Sequence, residues 1–296
     1  MSLIPSIEFL DATKEFNRLL ESLSPGPYSE EWFAQPQTEA WNALREGGWL
    51  LAGGAGSRDE ELTNLLELAE VWGQHLIPLP FSATLCLMRW ANSSDQPSVS
   101  PLTLAVPTAG GSAIAPFANI RGVEVVCDVE LGLTLSAGKG TSPDIFAPSM
   151  PIAVVDRASI GPQEWLCESI ALFAAEAVGA ARQCHNRALA YSFERSAYQQ
   201  VIGSFQAIHH MAANMYRDLE LAKSASLWAA NAGDLEEALR AGTMAAELAR
   251  SVAQKSIQVH GGIGFTWELG LHWYLRHVMA VESFFRHISL EHMREM

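Results

Sequence analysis

Cationic residues are scarce in this chain: 19 Lys and Arg stand against 33 Asp and Glu in 296 residues, a formal net charge of −14. A field of that sign repels phosphate backbones and anionic lipid, so nucleic-acid binding is disfavoured. Cysteine is also sparse. Cys86, Cys127, Cys167 and Cys184 are scattered, with no CxxC pair and no Cys/His cluster, which points away from a structural zinc site or a disulfide framework and toward buried or free thiols. No apolar run approaches the roughly 20 residues that cross a bilayer. The stretch from Met1 to Phe16 lacks the charged-then-apolar layout of a signal peptide, so a cytoplasmic protein is expected. There is no internal repeat and no low-complexity linker.

What is present is ordinary globular composition, 49% hydrophobic and 18% charged, and it shifts twice along the chain. Residues 1–95 mix helical runs with Pro and Gly breaks, and 96–160 are rich in Pro, Gly, Val and Thr. Residues 161–296 are Ala-rich, with no proline beyond Pro162. This predicts a mainly α protein in three parts: an N-terminal helical domain, a reduced central β-sheet domain and a C-terminal four-helix bundle. Helices are expected over Ile7 to Leu23, Glu30 to Glu46, Asp59 to about His75, and Phe81 to Ala91. The loop Ala52 to Ser57 separates the second from the third. From Val123 to Leu135 every odd position is apolar, the period of a half-buried strand or of a hairpin broken near Gly132. Leu102 to Val106 and Ile152 to Val155 add further strands.

In the last part, Leu166, Ile170, Phe173, Ala174, Ala177, Val178 and Ala181 recur at three- and four-residue intervals, and Gly179, Ala180 and Ala181 allow close helix approach. Bundle helices are expected over 163–197, 203–232, 234–259 and 271–293, with Gly233-Asp234 as a stop-and-cap pair. His209 and His210 point about 100° apart on a helix, and neither has a partner completing a metal site. His185, His272, His277, His287 and His292 read as helix-surface or interface residues, and Glu220 with Lys223 as a surface pair.

The most unusual local feature is Gln258-Val-His-Gly-Gly-Ile-Gly-Phe-Thr-Trp-Glu268, three glycines closing a long helix. One reading is a C-cap and turn. The other is bare main chain that lets a cofactor approach N–H and C=O groups without a Cβ between. Continued to its neighbours, Ile257-Gln-Val-His-Gly-Gly-Ile-Gly-Phe-Thr-Trp-Glu-Leu-Gly-Leu-His-Trp-Tyr-Leu-Arg276 resembles the C-terminal motif of the flavin-dependent acyl-CoA dehydrogenase family. Tyr191-Ser-Phe-Glu-Arg-Ser-Ala-Tyr-Gln-Gln-Val-Ile-Gly-Ser-Phe-Gln-Ala207 resembles that family's arginine-bearing helix end. Ala40 to Trp49 and Leu68 to Phe81 resemble its N-terminal helices.

The resemblance implies the cofactor FAD, with the bundle holding the pyrophosphate and adenosine end of a nucleotide bound mainly by a neighbouring subunit. Arg195 would pair with the pyrophosphate, since a guanidinium fork fits phosphate oxygens. Its alternative is a surface ion pair with Glu194 or a nearby helix. Gln258, Gly261, Gly262 and Gly264 would line the nucleotide's path. Tyr198 would stack on or cover it, and Gln199 replaces a family glycine, which implies an altered backbone path.

Family chemistry needs a carboxylate at the substrate's α-carbon. Of the two positions that host it, one corresponds to Ser169, with Glu168 adjacent, and the other falls on Ser283, Phe284 and Phe285, with Glu282 nearby; Phe285 cannot take a proton. Glu168 is the one weak catalytic candidate, and both glutamates read more simply as solvated helix residues. The family's flavin cradle is also reduced: Leu104 to Ser112 resembles a worn form of one motif, with Val106 in place of the acid.

The resemblance therefore implies a shorter, base-free subunit of a heteromeric (α2β2) bacterial type, such as those of steroid side-chain degradation. It would complete the FAD site of a longer catalytic acyl-CoA dehydrogenase chain that binds the acyl-CoA substrate. An electron-transfer flavoprotein-type acceptor is implied too. The alternatives are a self-sufficient homo-oligomeric dehydrogenase using Glu168 and a cofactor-free structural subunit.

Overall fold

The computed structural model describes residues 7–24, 26–53, 58–90, 100–108, 112–128, 133–136, 146–155 and 163–295. The loop expected over Ala52 to Ser57, the worn motif ending at Ser112, and Gly132 fall wholly or partly outside these residues.

The chain opens with α1 (Ile7–Leu23), in agreement with the periodicity. The single helix expected over Glu30 to Glu46 is instead two, α2 (Glu30–Ala34) and α3 (Thr38–Glu46). Pro36 is the cause, because the residue before a proline is driven out of the helical region, and Gln35 sits extended at φ −74, ψ 141. Ser29 starts α2 by accepting the Trp32 N–H on its Oγ at 3.2 Å. After a 3-10 turn over Trp49–Gly53 come α4 (Arg58–Gly73) and α5 (Phe81–Trp90). Phe81 stacks on Phe16 of α1 at 5.3 Å and on Trp72 of α4 at 4.8 Å, so one aromatic cluster joins three helices.

The β region is small. Strands β1 (Leu102–Leu104), β4 (Glu124–Asp128) and β5 (Leu133–Ser136) form one sheet, with β1 parallel and β5 antiparallel to the central β4. Strands β2 (Val106–Pro107), β3 (Ala113–Pro116) and β6 (Ile152–Val155) form a second, antiparallel one. The alternation from Val123 to Leu135 is thus a hairpin, and Leu102 to Val106 divides between the two sheets. Strand β3 escaped the sequence reading: Ala113-Ile-Ala-Pro carries one β-branched residue.

Helix α6 (Gln163–Glu194) leads into the short hairpin β7 (Ser196–Ala197) and β8 (Gln200–Val201). The helices α7 (Gln206–Ala230), α8 (Leu235–His260) and α9 (Leu271–Glu295) follow. Asp234 caps α8, its Oδ1 accepting the Glu237 N–H at 2.8 Å. Ion pairs tie successive helices together. Asp218 of α7 meets Lys255 of α8 at 2.6 Å, and Arg250 of α8 meets Glu282 of α9 at 2.8 Å. The result is an up-down-up-down bundle in which α6 and α8 run the same way, tied by Ser256 Oγ donating to the Cys184 carbonyl at 2.7 Å.

Helices α4 and α6 touch main chain to main chain. A Cβ on Gly73 would lie 1.9 Å from the Glu176 carbonyl oxygen, and one on Gly179 would lie 1.9 Å from the Glu70 carbonyl oxygen. Around this crossing the buried charges find partners. Glu70 pairs with Arg182 and Lys223, and Lys223 also reaches Glu67. The expected Glu220–Lys223 surface pair is therefore replaced by a cluster across α4, α6 and α7, with Glu220 facing Arg182. His277 is not a surface residue either. It is buried, with Nε2 3.2 Å from Glu176 Oε1 and Nδ1 3.0 Å from Ser149 Oγ, while Ser82 Oγ donates to Glu176 Oε2 at 2.6 Å. This chain of four buried polar side chains ties α5, α6, α9 and the loop before β6 together.

Two predictions follow from this packing. Gly179→Ala should lower the unfolding free energy by about 3 kcal/mol, the upper part of the overpacking range, because main chain cannot yield as a side chain does. Equilibrium urea unfolding measures it. The second concerns His75, whose Nε2 lies 2.9 Å from Asn17 Oδ1. Burial lowers its pKa from 6.5 to about 4, against a smaller opposing pull from Glu21. The unfolded chain then binds the proton more readily, so stability is full above pH 6.5 and is lost as pH falls toward 4. The loss is roughly 3 kcal/mol at most. His75→Gln should flatten the urea-midpoint profile across that window.

Candidate functional site

One end of the bundle gathers the last turn of α6, the β7–β8 hairpin and the last turn of α8. The Tyr191 ring of α6 stacks on the His260 ring of α8, with centroids 4.5 Å apart and planes at 25°. His260 Nδ1 lies 2.8 Å from the Ser256 carbonyl, which makes Nδ1 the protonated nitrogen. Burial lowers the His260 pKa, against the pull of that hydrogen bond, so the ring is held neutral. The stack went unnoticed in the sequence, although both rings stand in the quoted segments, each in the last turn of its helix.

Arg195 is the first residue beyond α6. Its N–H donates to the Tyr191 carbonyl at 2.9 Å and its carbonyl accepts the Ile202 N–H at 2.8 Å, which closes the hairpin. The side chain is exposed, and among the described residues no carboxylate pairs with it, including the adjacent Glu194. Tyr198 and Gln199 form the hairpin turn at φ 52 and 66, the positive-φ pattern of a type I′ turn. Gln199 thus adopts the left-handed backbone that glycine favours. Tyr198 is 92% exposed.

The three glycines after α8 differ in what they do. Gly261 caps the helix at φ 64, ψ −139, a conformation essentially reserved for glycine. Gly264 packs tightly, since a Cβ there would lie 2.5 Å from the Ile257 carbonyl oxygen. Gly262 is exposed, has no positive φ, and a Cβ on it would meet nothing within 4 Å. The turn explains Gly261 and Gly264, so bare main chain without a structural reason is left at Gly262. Gln258 is exposed on the last turn of α8, and its carbonyl accepts the Gly261 N–H. The Tyr191–His260 stack sets the end of α6, which leads into Arg195 and the Tyr198 turn, against the end of α8, which leads into the glycine segment.

The two candidate base positions lie elsewhere on the bundle. Ser169 is buried, donating to the Trp165 carbonyl at 2.9 Å with the Cys86 sulfur 3.2 Å away. Glu168 is no solvated residue: its side chain is 12% exposed and its Oε2 takes the Arg89 Nε at 3.1 Å, from a guanidinium 5% exposed. Phe285 is fully buried. Glu282 is buried as well, shared between Arg250 and Arg286. Each glutamate is occupied by a guanidinium across a helix interface, a partner that local spacing could not disclose. Among the described residues no helix is long and apolar enough to cross a membrane, and no group of three His, Cys, Asp or Glu side chains gathers to hold a metal.

N-terminal helices, two small three-stranded sheets and a C-terminal four-helix bundle make up a fold shared with solved acyl-CoA dehydrogenases. The steroid ACAD structure "Tcur3481-Tcur3483 steroid ACAD G363A variant" superposes with a TM-score of 0.73 over 97% of this chain and 97% of that one, at 19% identity. The ChsE4-ChsE5 complex from Mycobacterium tuberculosis gives 0.74 over 99% and 97%, at 16% identity. In sequence, the acyl-CoA dehydrogenase IpdE2 of Mycobacterium tuberculosis is 29% identical over 238 residues, 76% of this chain and 73% of its own length. Residues 166–284 match the family described as acyl-CoA dehydrogenase, C-terminal domain. By this match residues 166–284, the bulk of the bundle, form an acyl-CoA dehydrogenase C-terminal domain.

The unequal glycines can be told apart by stability. Gly264→Ala should cost about 1–3 kcal/mol, since the Cβ meets a carbonyl, whereas Gly262→Ala should shift the urea midpoint within the scatter of an ordinary surface substitution.

Proposed function

We propose that this chain is the base-free subunit of a heteromeric FAD-dependent acyl-CoA dehydrogenase, contributing contacts to the pyrophosphate and adenosine end of FAD in a longer, base-bearing partner. The observation that carries this reading is the end of the bundle, where an unpaired guanidinium, an exposed ring and an unobstructed glycine backbone stand together. The residues fit the group. Helices α6 and α8 both end there, and helix C-termini carry partial negative charge that opposes an anion. Arg195 supplies the compensating charge, in a fork that matches two phosphate oxygens. Gly262 leaves main-chain polar groups open to close approach, and Gln258, Gly261 and Gly264 shape the same segment. Tyr198 offers a ring to cover the nucleotide.

FAD, when bound, supplies the hydride acceptor for α,β-dehydrogenation of an acyl-CoA thioester. Proton removal falls to the partner. At the two base positions this chain has Ser169 and the run Ser283, Phe284 and Phe285, and the carboxylates beside them already serve Arg89, Arg250 and Arg286. Both carboxylates are thus engaged in ion pairs inside this chain. The assembly is read as α2β2, with the acyl-CoA bound mainly by the partner, in the cytoplasm, and with electrons passing to an electron-transfer flavoprotein-type acceptor. Both structural relatives bear the names of two components, and one of them is a steroid ACAD, which supports a two-chain enzyme acting on a steroid side-chain CoA ester.

The test is the complex reconstituted from this chain and a base-bearing partner. Arg195→Ala should lower FAD affinity about 10- to 100-fold, the worth of one or two charge-assisted hydrogen bonds, read by flavin absorbance after dialysis. Undiminished flavin would leave only a structural subunit. Glu168→Gln should leave turnover per folded complex unchanged. A yellow, active preparation of this chain alone would establish the self-sufficient enzyme in place of the two-chain one.

A further inference from the structure

A cavity of about 570 Å³ opens where three parts of the chain meet: α2, the loops 119–121 and 148–151, and the first turns of α9. That volume lies within the roughly 300–1,000 Å³ of small-molecule sites. Phe33, Pro36, Pro148, Pro151 and Trp273 give it apolar walls. Two guanidiniums line it as well, Arg121 and Arg276, against a single carboxylate, Glu30, at the start of α2.

Neither arginine has a carboxylate partner among the described residues. Arg276 is held instead among aromatic rings, its guanidinium carbon 5.1 Å from the Trp273 centroid, 5.5 Å from Trp267 and 5.8 Å from Phe146. Such rings steady a cation without neutralising it, and they leave its in-plane N–H donors available. The charge is felt nearby: burial, and then Arg276, push the His272 pKa down to about 4. A third polar group also lacks a partner. Asn119 lines the cavity, and its Oδ1 is buried with no hydrogen-bond donor. Buried acceptors are rarely left so, and each costs on the order of 1–3 kcal/mol until a donor arrives.

We infer that this cavity binds an organic oxyanion on a hydrocarbon body, with the anionic group held by Arg276 and Arg121 and the hydrocarbon against Phe33 and Trp273. A hydroxyl or N–H on the same molecule satisfies Asn119. The anion is a carboxylate or a phosphate, since a guanidinium fork accepts either. The site uses no residue assigned to FAD and stands independently of the two-chain reading.

Isothermal titration of the full-length chain with decanoate, decyl phosphate and decanol tests it. At least one of the two anions should bind at least 10-fold more tightly than the alcohol, and the better anion identifies which headgroup the site takes. Arg276→Met and Arg121→Gln should each weaken that anion at least 5-fold, and Glu30→Gln should strengthen it. Arg121 is exposed, so its variant keeps the test decisive if Arg276→Met fails to fold. Absence of binding by both anions, equal binding of decanol, or undiminished affinity in the folded arginine variants would overturn the inference.

Discussion

The contact on which the rest of the molecule depends is the crossing of α4 and α6 at Gly73 and Gly179. Each glycine accepts the other helix's carbonyl where a Cβ would sit, so the two axes are locked at a single point. Helix α6 then acts as a spine whose two ends are positioned by that point. Toward its N-terminus, Glu168 reaches Arg89 and Ser169 meets Cys86, which fixes α5. Glu176 next to the crossing joins Ser82, His277 and Ser149. Toward its C-terminus, Arg182 holds Glu70 and Glu220, and Tyr191 reaches His260. The exposed Arg195 lies one residue beyond this fully specified helix, and that placement makes an unpaired guanidinium reproducible in space.

Much of this frame could be read before any coordinates. The three- and four-residue apolar spacing of the last part predicted four bundle helices whose ends fall within a few residues of the observed ones, because packing against neighbours demands a continuous stripe. Local signals also served well: Gly233-Asp234 punctuates and caps, and Gly179-Ala-Ala permits close approach. Where reading by local spacing failed, the interaction was tertiary. Glu220 and Lys223 are good helix-surface neighbours, yet both spend their charge on other helices. His277, Glu168 and Glu282 looked like solvated residues because the guanidiniums or carboxylates that bury them are distant in sequence. One local signal was passed over: Pro36 drives Gln35 out of the helical region and splits the helix expected over Glu30 to Glu46.

The site divides in the same way. A glycine cluster at a helix end is ambiguous in sequence, since capping and ligand access call for the same residue. Coordinates separate the two demands residue by residue: Gly261 is required by its dihedral angles, Gly264 by its neighbour, and Gly262 by neither. An arginine is similarly ambiguous until its partners are known. Arg89, Arg182 and Arg250 complete internal ion pairs, whereas Arg195 and Arg276 lack carboxylates among the described residues and stand at the two concentrations of unexplained polarity.

The hairpin after Arg195 sharpens this point. Two consecutive side-chain-bearing residues at positive φ are costly, of the order of 1 kcal/mol each, and glycine would remove that cost at Gln199. The register Ser196 to Val201 and Ala197 to Gln200, with Ile202 N–H on the Arg195 carbonyl, holds the turn regardless. A ring as exposed as Tyr198 returns little burial to offset the strain, and its contact with Phe205 is distant, at 6.5 Å. Stability of the isolated fold therefore does not account for this turn. What the hairpin does is hold an exposed aromatic face three residues from an unpaired guanidinium, the two groups on which the proposed nucleotide contact rests.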